Sequence, residues 1–310
     1  MRLILSRKGF DSSAGGCPSP IFPDGSLYPL PIPDTKSSIT FAEIGHGDID
    51  IGELVEDLTR GRHTGRGTAH LDPDMYPDTL PRSRGWRPLL GQTGAAQGHL
   101  RRQGVRPGDL FLFFGLFRPV ERTNGKWQFV RQAPAQHILW GWLAIGDVCH
   151  VDDLRDSELG WARYHPHFQI GPDSANTLYL AADKLELPET NAPVAGAGVF
   201  PQLAEPLVLT CPDSPRPSLW RLPNFFYPGP DRTPLSYHHK AERWWRDAHD
   251  RQPGYCHLQS AARGQEFVLD MTQYPQCTGW IAELIHQYGS ESLDPAPQPS
   301  CAWPLWPSCK

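Results

Sequence analysis

Hydrophobic positions in this chain fall into short continuous runs separated by long polar stretches punctuated by Gly and Pro, a pattern that predicts strands and loops more than helices. Leu3, Ile4 and Leu5 predict a short buried strand, which ends in Ser6, Arg7, Lys8, Asp11, Ser12 and Ser13. Gly15 and Gly16 then allow close backbone approach, and the prolines at 18, 20, 23, 29, 31 and 33 fix an extended path, read here as a rigid wall beside a polar site. Residues 48–60 predict the first helix, with Ile49, Leu54, Val55 and Leu58 on one side, acids near its start and Gly61 marking its end. Residues 65–109 read mainly as loop, with a short helix near 93–103. The continuous apolar runs at 108–118 and 137–151, with a weaker strand at 126–130 after the Asn124-Gly125 turn, predict a three-stranded antiparallel meander. Short runs at 177–182, 207–210 and 266–270 extend the sheet, whereas 241–249 and 279–289 look helical.

The expected fold class is therefore α+β: a mainly antiparallel, strand-rich sheet or partly closed barrel with a few helices and long Pro/Gly-rich loops. One domain over residues 1–288, followed by a Pro-rich tail over 289–310, is the expected organisation. Composition agrees, with 33 prolines and 29 glycines among 310 residues, 20% charged residues and enough hydrophobic content, 39%, to build a core. A net charge of -5 argues against a surface basic all over, so any contact with phosphates must come from local clusters. The seven cysteines are dispersed without a CxxC pair, which argues against a zinc ribbon. No apolar run approaches a membrane span or the core of a signal peptide, so the expectation is a reduced, cytoplasmic protein without a membrane partner.

Candidate chemistry sits on the loops. His70, Asp72 and Asp74 alternate along one segment, so an extended chain would aim all three to one side, a mixed nitrogen and oxygen set suited to a divalent metal ion. The competing reading is an Asp-Pro turn whose acids cap amides and pair with Arg66, Arg84 or Arg87. The groups Tyr164-His165-Pro166-His167 and Tyr237-His238-His239-Lys240 offer imidazoles for acid–base work, or for structural hydrogen bonds. Gln265 and Glu266 open a strand and could read the edge of a base, or serve as a backbone cap and an arginine partner. Trp86, Trp140, Trp142, Trp161 and Trp220 lie beside polar loops as candidate stacking surfaces, although most tryptophans pack in cores. GxSxG, a Walker loop and a strand-linked GxGxxG are all absent, which weakens hydrolase, NTPase and dinucleotide-binding readings together.

Taken in order, SRKGFDSSAGGCPSPIFPDG, HLDPD, WRPLLGQ, GDLFLFFGLFR, WGWL, HPHF, GAGVF and RGQEFVLD resemble the third family of nucleotide-modification-associated domains, bacterial and phage proteins implicated in DNA base modification. The likeness runs to about Asp270. It implies a nucleotide or DNA base as partner, alongside other enzymes of a DNA-modification pathway, but hands over no defined reaction. On the matching blocks, Lys8, Asp11, His70 and Glu266 become candidate catalytic residues, and Arg7, Ser12, Gln92, His165, His167 and Gln265 candidate substrate-binding residues. His70, Asp72 and Asp74 remain the candidate ligands of a divalent metal ion. A weaker likeness of the 107–148 strands to PUA-like barrels supplies the alternative, a module that binds modified bases without chemistry.

Overall fold

The computed structural model describes residues 1–187, 194–246, 254–262 and 264–291. Its centre is a mixed sheet whose main strands are β1 (Arg2–Arg7), β2 (Leu89–Gln92), β3 (Leu110–Thr123), β4 (Gln136–His150), β5 (Thr177–Ala181) and β6 (Glu266–Asp270), in the order β6-β1-β3-β4-β5-β2. The β1–β3 pair is parallel, and the other neighbours along this path are antiparallel. The run Leu110–Phe114 has no polar residue because it is covered on both faces, and all five side chains are fully buried. Register shifts at Leu139/Gly141 and Ile145/Asp147 mark irregularities along β4, which pairs with β3 through its first half and with β5 through its second. Among the described residues no barrel is closed by backbone pairing.

Helices α1 (Ile51–Leu58), α2 (Gly94–Arg102) and α3 (Gln276–Tyr288) form close to where the sequence predicts helix, α1 on its one-sided apolar spacing. Asp50 caps α1 by accepting the Glu53 amide, leaving Ile49 outside the helix. The apolar side of α1 packs into a second cluster with Phe10, Phe22, Tyr28 and Leu30, which anchors the opening loop beyond β1. Each buried aromatic of this kind contributes about 1.5–3 kcal/mol.

Three elements differ from the sequence expectation. The 126–129 strand pairs only with residues 120–123 at the far end of β3, and β4 pairs directly with β3, so the three do not form a meander. Residues 207–210 make isolated bridges, Ile138–Val208 and Thr210–Trp220, instead of a strand. Residues 241–246 contain one 3-10 turn and the short strand Trp244–Trp245, which pairs with Leu258 and His257; the rest of that expected helix lies outside the described residues. Ser290 and Glu291, at the start of the expected tail, pair with Val199 and Gly198, and residues 292–310 lie outside the described residues. Among the described residues no helix is long and apolar enough to cross a membrane.

Candidate functional site

A cleft of about 170 Å³ opens where the end of β1, the His70 loop, the end of β2 and the start of β6 converge. Arg7, Lys8, Asp11, His70, Asp72, Gln92, His167 and Gln265 all line it, so the opening loop, the 70–74 segment, the 165–167 turn and the 265–266 strand end meet in one place. Of the Pro-rich segment, Ile32 reaches the cleft lining; the prolines do not, and Pro20 and Pro33 sit in short strands.

At the cleft floor, one nitrogen each of His70 and His167 and one Asp72 oxygen lie within 4.8 Å of one another. Asp72 Oδ2 stands 3.8 Å from His70 Nε2 and 3.9 Å from His167 Nε2. The outer nitrogens are committed. His70 Nδ1 lies 2.7 Å from Asp34 Oδ2, and an ionised carboxylate only accepts, so Nδ1 carries the proton. Asn176 donates its Nδ2 to the His167 carbonyl at 2.7 Å, which turns its Oδ1 toward His167 Nδ1 at 2.6 Å and fixes the proton there as well. With Nδ1 as the donor in each ring, the neutral form of each imidazole aims an Nε2 lone pair at the Asp72 side of the cleft. Burial, reinforced by the His165 and His70 rings and opposed by Asp72 and the Asn176 bond, pushes the His167 pKa down to about 4. For Asp72, burial favours the acid, but the His165 bond and the charges of Lys8 and the histidines outweigh it and hold the carboxyl below the ordinary range.

Two lone pairs and a carboxylate oxygen fit a divalent transition metal with open coordination positions. Metal bonds of about 2.0–2.2 Å place neighbouring donors about 3–3.5 Å apart, so Asp72 Oδ2 needs to close by roughly 0.3–0.9 Å on each imidazole nitrogen. The Asp34 and Asn176 contacts are of the kind that orients histidines in metal sites.

Gly91 makes the cluster sterically feasible. Its amide donates to Asp72 Oδ1 at 2.6 Å, and a Cβ at this position would stand 2.1 Å from His167 Cδ2. His165 plays a different part from His167. Its Nδ1 accepts the His167 amide at 3.4 Å, leaving the proton on Nε2, which faces Asp72 Oδ1 at 3.3 Å. The ring is fully buried and braces Asp72 from behind, outside the cleft lining.

Asp74 does not join the cluster. The chain turns at Asp72, whose amide donates to the His70 carbonyl, and Asp74 bridges to Leu89, so the alternation of an extended strand does not apply. Its carboxylate instead receives both terminal nitrogens of Arg82 at 2.7 Å and the Tyr164 hydroxyl at 2.5 Å. Asp11 lines the cleft while its Oδ1 accepts the Ser13 amide and hydroxyl and the Ala14 amide. Ser12 is exposed and outside the lining. Glu266 lies deeper: its Oε1 accepts Gln92 Nε2 at 2.7 Å and pairs with Lys8 Nζ at 3.3 Å, and its buried Oε2 has no hydrogen-bond partner among the described residues. Arg7 donates to the Ala261 and Ala262 carbonyls, tying the opening loop to the segment before β6. Trp86, Trp140, Trp142 and Trp220 are at most 2% exposed, which removes them as stacking surfaces.

Sequence reasoning assigned His167 to substrate and missed Asp34, Gly91 and Asn176. Gly91 lies inside the WRPLLGQ block, so it carried a signal; Asp34 and Asn176 stand alone, and only the folded chain reveals them. Residues 2–270 match the family described as nucleotide modification associated domain 3, and the chain belongs to that family. No curated protein and no solved structure matches the chain.

Proposed function

We propose, from the premise of that family and the geometry of the cleft, that the protein is a metal-assisted enzyme that modifies a DNA base. The convergence of His70 Nε2, Asp72 Oδ2 and His167 Nε2, with both outer nitrogens locked, carries the reading. A held divalent ion supplies Lewis acidity or an activated oxygen ligand. The chain's own residues do the rest. His70, Asp72 and His167 hold the ion, His165 and Asn176 position them, and Arg7 and Lys8 place positive charge beside the polar groups of the base. Gln265 offers an amide to its edge, and Glu266, through Lys8 and Gln92, sets where those two groups point. Asp11 holds the turn through Ser13 and Ala14 in shape at the cleft edge.

Equilibrium dialysis of the purified chain against Zn²⁺, Mn²⁺ or, anaerobically, Fe²⁺ tests the ligand set. One ion per chain is expected, with binding lost in His167→Ala and in Asp72→Asn; equal uptake by wild type and both variants would sink the assignment. Nucleoside analysis of DNA after incubation with the loaded protein tests turnover. A metal-free protein that binds base-modified DNA and leaves it unchanged would instead favour a non-catalytic base-binding module.

A further inference from the structure

We infer that the face built around Tyr237 binds single-stranded DNA running on from the base held in the cleft, so that the substrate is a DNA strand and not a free nucleotide. This rests on the base-modifying reading of the cleft. Tyr237 is 43% exposed, and only one other large hydrophobic side chain among the described residues, Leu203, is classed as exposed. It is held there against local preference, because its φ of 66° lies in the left-handed region that bulky residues avoid. Its neighbours are fixed on both sides: Ser236 donates its amide to Val268 and accepts the Val268 amide on its hydroxyl, and the His238 imidazole accepts the Ala261 amide. The Tyr237 ring lies 4.5 Å from that of His99 on α2, and beneath it sits Gly264, where a Cβ would come within 3.3 Å of the ring. Gln265, the next residue, lines the cleft, and α2 begins just after Gln92 and Thr93 of the same lining. The exposed aromatic is therefore continuous with the cleft wall.

Among the described residues the surrounding charge is positive. Arg102 lies near enough to act on His99, and Arg243 and Arg7 to act on His238. Residues 93–108 contain three arginines and no acid, and residues 236–245 set Lys240 and Arg243 against Glu242 alone, in a chain whose net charge is -5. Arg102, His239 and Lys240 are exposed. A rigid exposed ring amid cations is the arrangement by which proteins take single strands, with bases stacking and phosphates neutralised. The size of the cleft points the same way: about 170 Å³ admits one base, which must leave its stack and bring its neighbours onto the adjoining surface.

Fluorescence anisotropy with a fluorescein-labelled, mixed-sequence DNA strand of about 12 nucleotides tests this. Wild type is expected to bind. Tyr237→Ala should weaken binding roughly 10-fold or more and Tyr237→Phe less than about 3-fold, since stacking survives without the hydroxyl. Arg102→Ala and Lys240→Ala, both surface changes, should each lower the slope of log affinity against log salt by roughly 0.7. If Tyr237→Ala does not fold, the two salt slopes decide. No binding by wild type, unchanged slopes, mononucleotides competing as tightly as the strand, or tighter binding of an RNA strand of the same sequence would each overturn the inference. A protein that takes up its metal ion but no strand loses this inference and keeps the proposed function; one that binds the strand without metal does the reverse.

Discussion

Asp72 and Asp74 are separated by one proline and are used in opposite ways. Asp74 is fully buried and saturated: Arg82 grips it with two nitrogens, Tyr164 donates to it, and the Arg82 guanidinium lies 4.3 Å over the Trp86 ring. Asp72 is ionised and its side chain is only 5% exposed, yet Oδ2 faces two imidazole Nε2 atoms and does not receive the Gly91 amide bond that occupies Oδ1. The saturated carboxylate ties the 72–74 turn to Tyr164, the residue before His165, and so sets the distance at which Asp72 meets His165 and His167. A complete polar network holds an incomplete one open, and the incomplete one is where a ligand gains most.

The largest test breaks the scaffold. Asp74→Ala leaves Arg82 buried without its carboxylate and should cost about 3–5 kcal/mol, read as a lower midpoint in urea unfolding, with metal uptake lost at temperatures where the variant has melted. A stability loss below about 1 kcal/mol would mean that the network does not carry the turn.

The next separates the two acids by pH. His167 stays neutral in the fold to about pH 4, whereas an unfolded histidine takes its proton near pH 6.5. The unfolded chain therefore binds the extra proton first, and stability should fall as pH drops from 6.5 toward 4, by up to roughly 3 kcal/mol from this group. Burial depresses His137 and His238 in the same direction. His167→Gln should flatten the acid limb of a stability–pH curve in proportion, while Asp74→Asn should leave the histidine contribution in place.

Metal itself should act on the Asp72 side alone. At a concentration 100 times its dissociation constant, an ion should stabilise wild type by about 2.7 kcal/mol and Asp72→Asn by none, measured as the shift in thermal midpoint. The smallest effect is expected behind the ligands. Asn176→Ala frees the outer nitrogen of His167 and should weaken metal affinity roughly 10–100-fold while retaining the stoichiometry; unchanged affinity would remove Asn176 from the site.

Much of the scaffold was legible because its signals are local. The unbroken apolar run of β3 and the amphipathic spacing of α1 and α3 leave few alternatives. Residues 241–246 misled because Ala, Glu and Arg favour helix, while Trp244 and Trp245 are taken by antiparallel pairing with Leu258 and His257, beyond the reach of helical spacing. At the site, the polar blocks pointed to the right neighbourhood. The choice between Asp74 and His167 did not follow from spacing, since alternation assumes an extended chain and the Asp72 amide turns back to His70. Likewise candidate stacking surfaces were sought among tryptophans, whose large apolar area favours burial and of which Trp86, Trp140, Trp142 and Trp220 are buried, whereas Tyr237 is exposed.

The bond between Gln92 and Glu266 spans the two ends of the sheet order, from the last residue of β2 to the first of β6. A barrel closed here by a backbone ladder would have to break several bonds together to admit a molecule. This seam is fastened by one amide and one ammonium on a single carboxylate oxygen, bonds of about 1.5–3 kcal/mol each when one partner is charged. A ligand that offers Gln92 or Lys8 a better acceptor can therefore unfasten the mouth of the sheet without disturbing any strand, and under the proposed function the choice of base would turn on which one can replace Glu266.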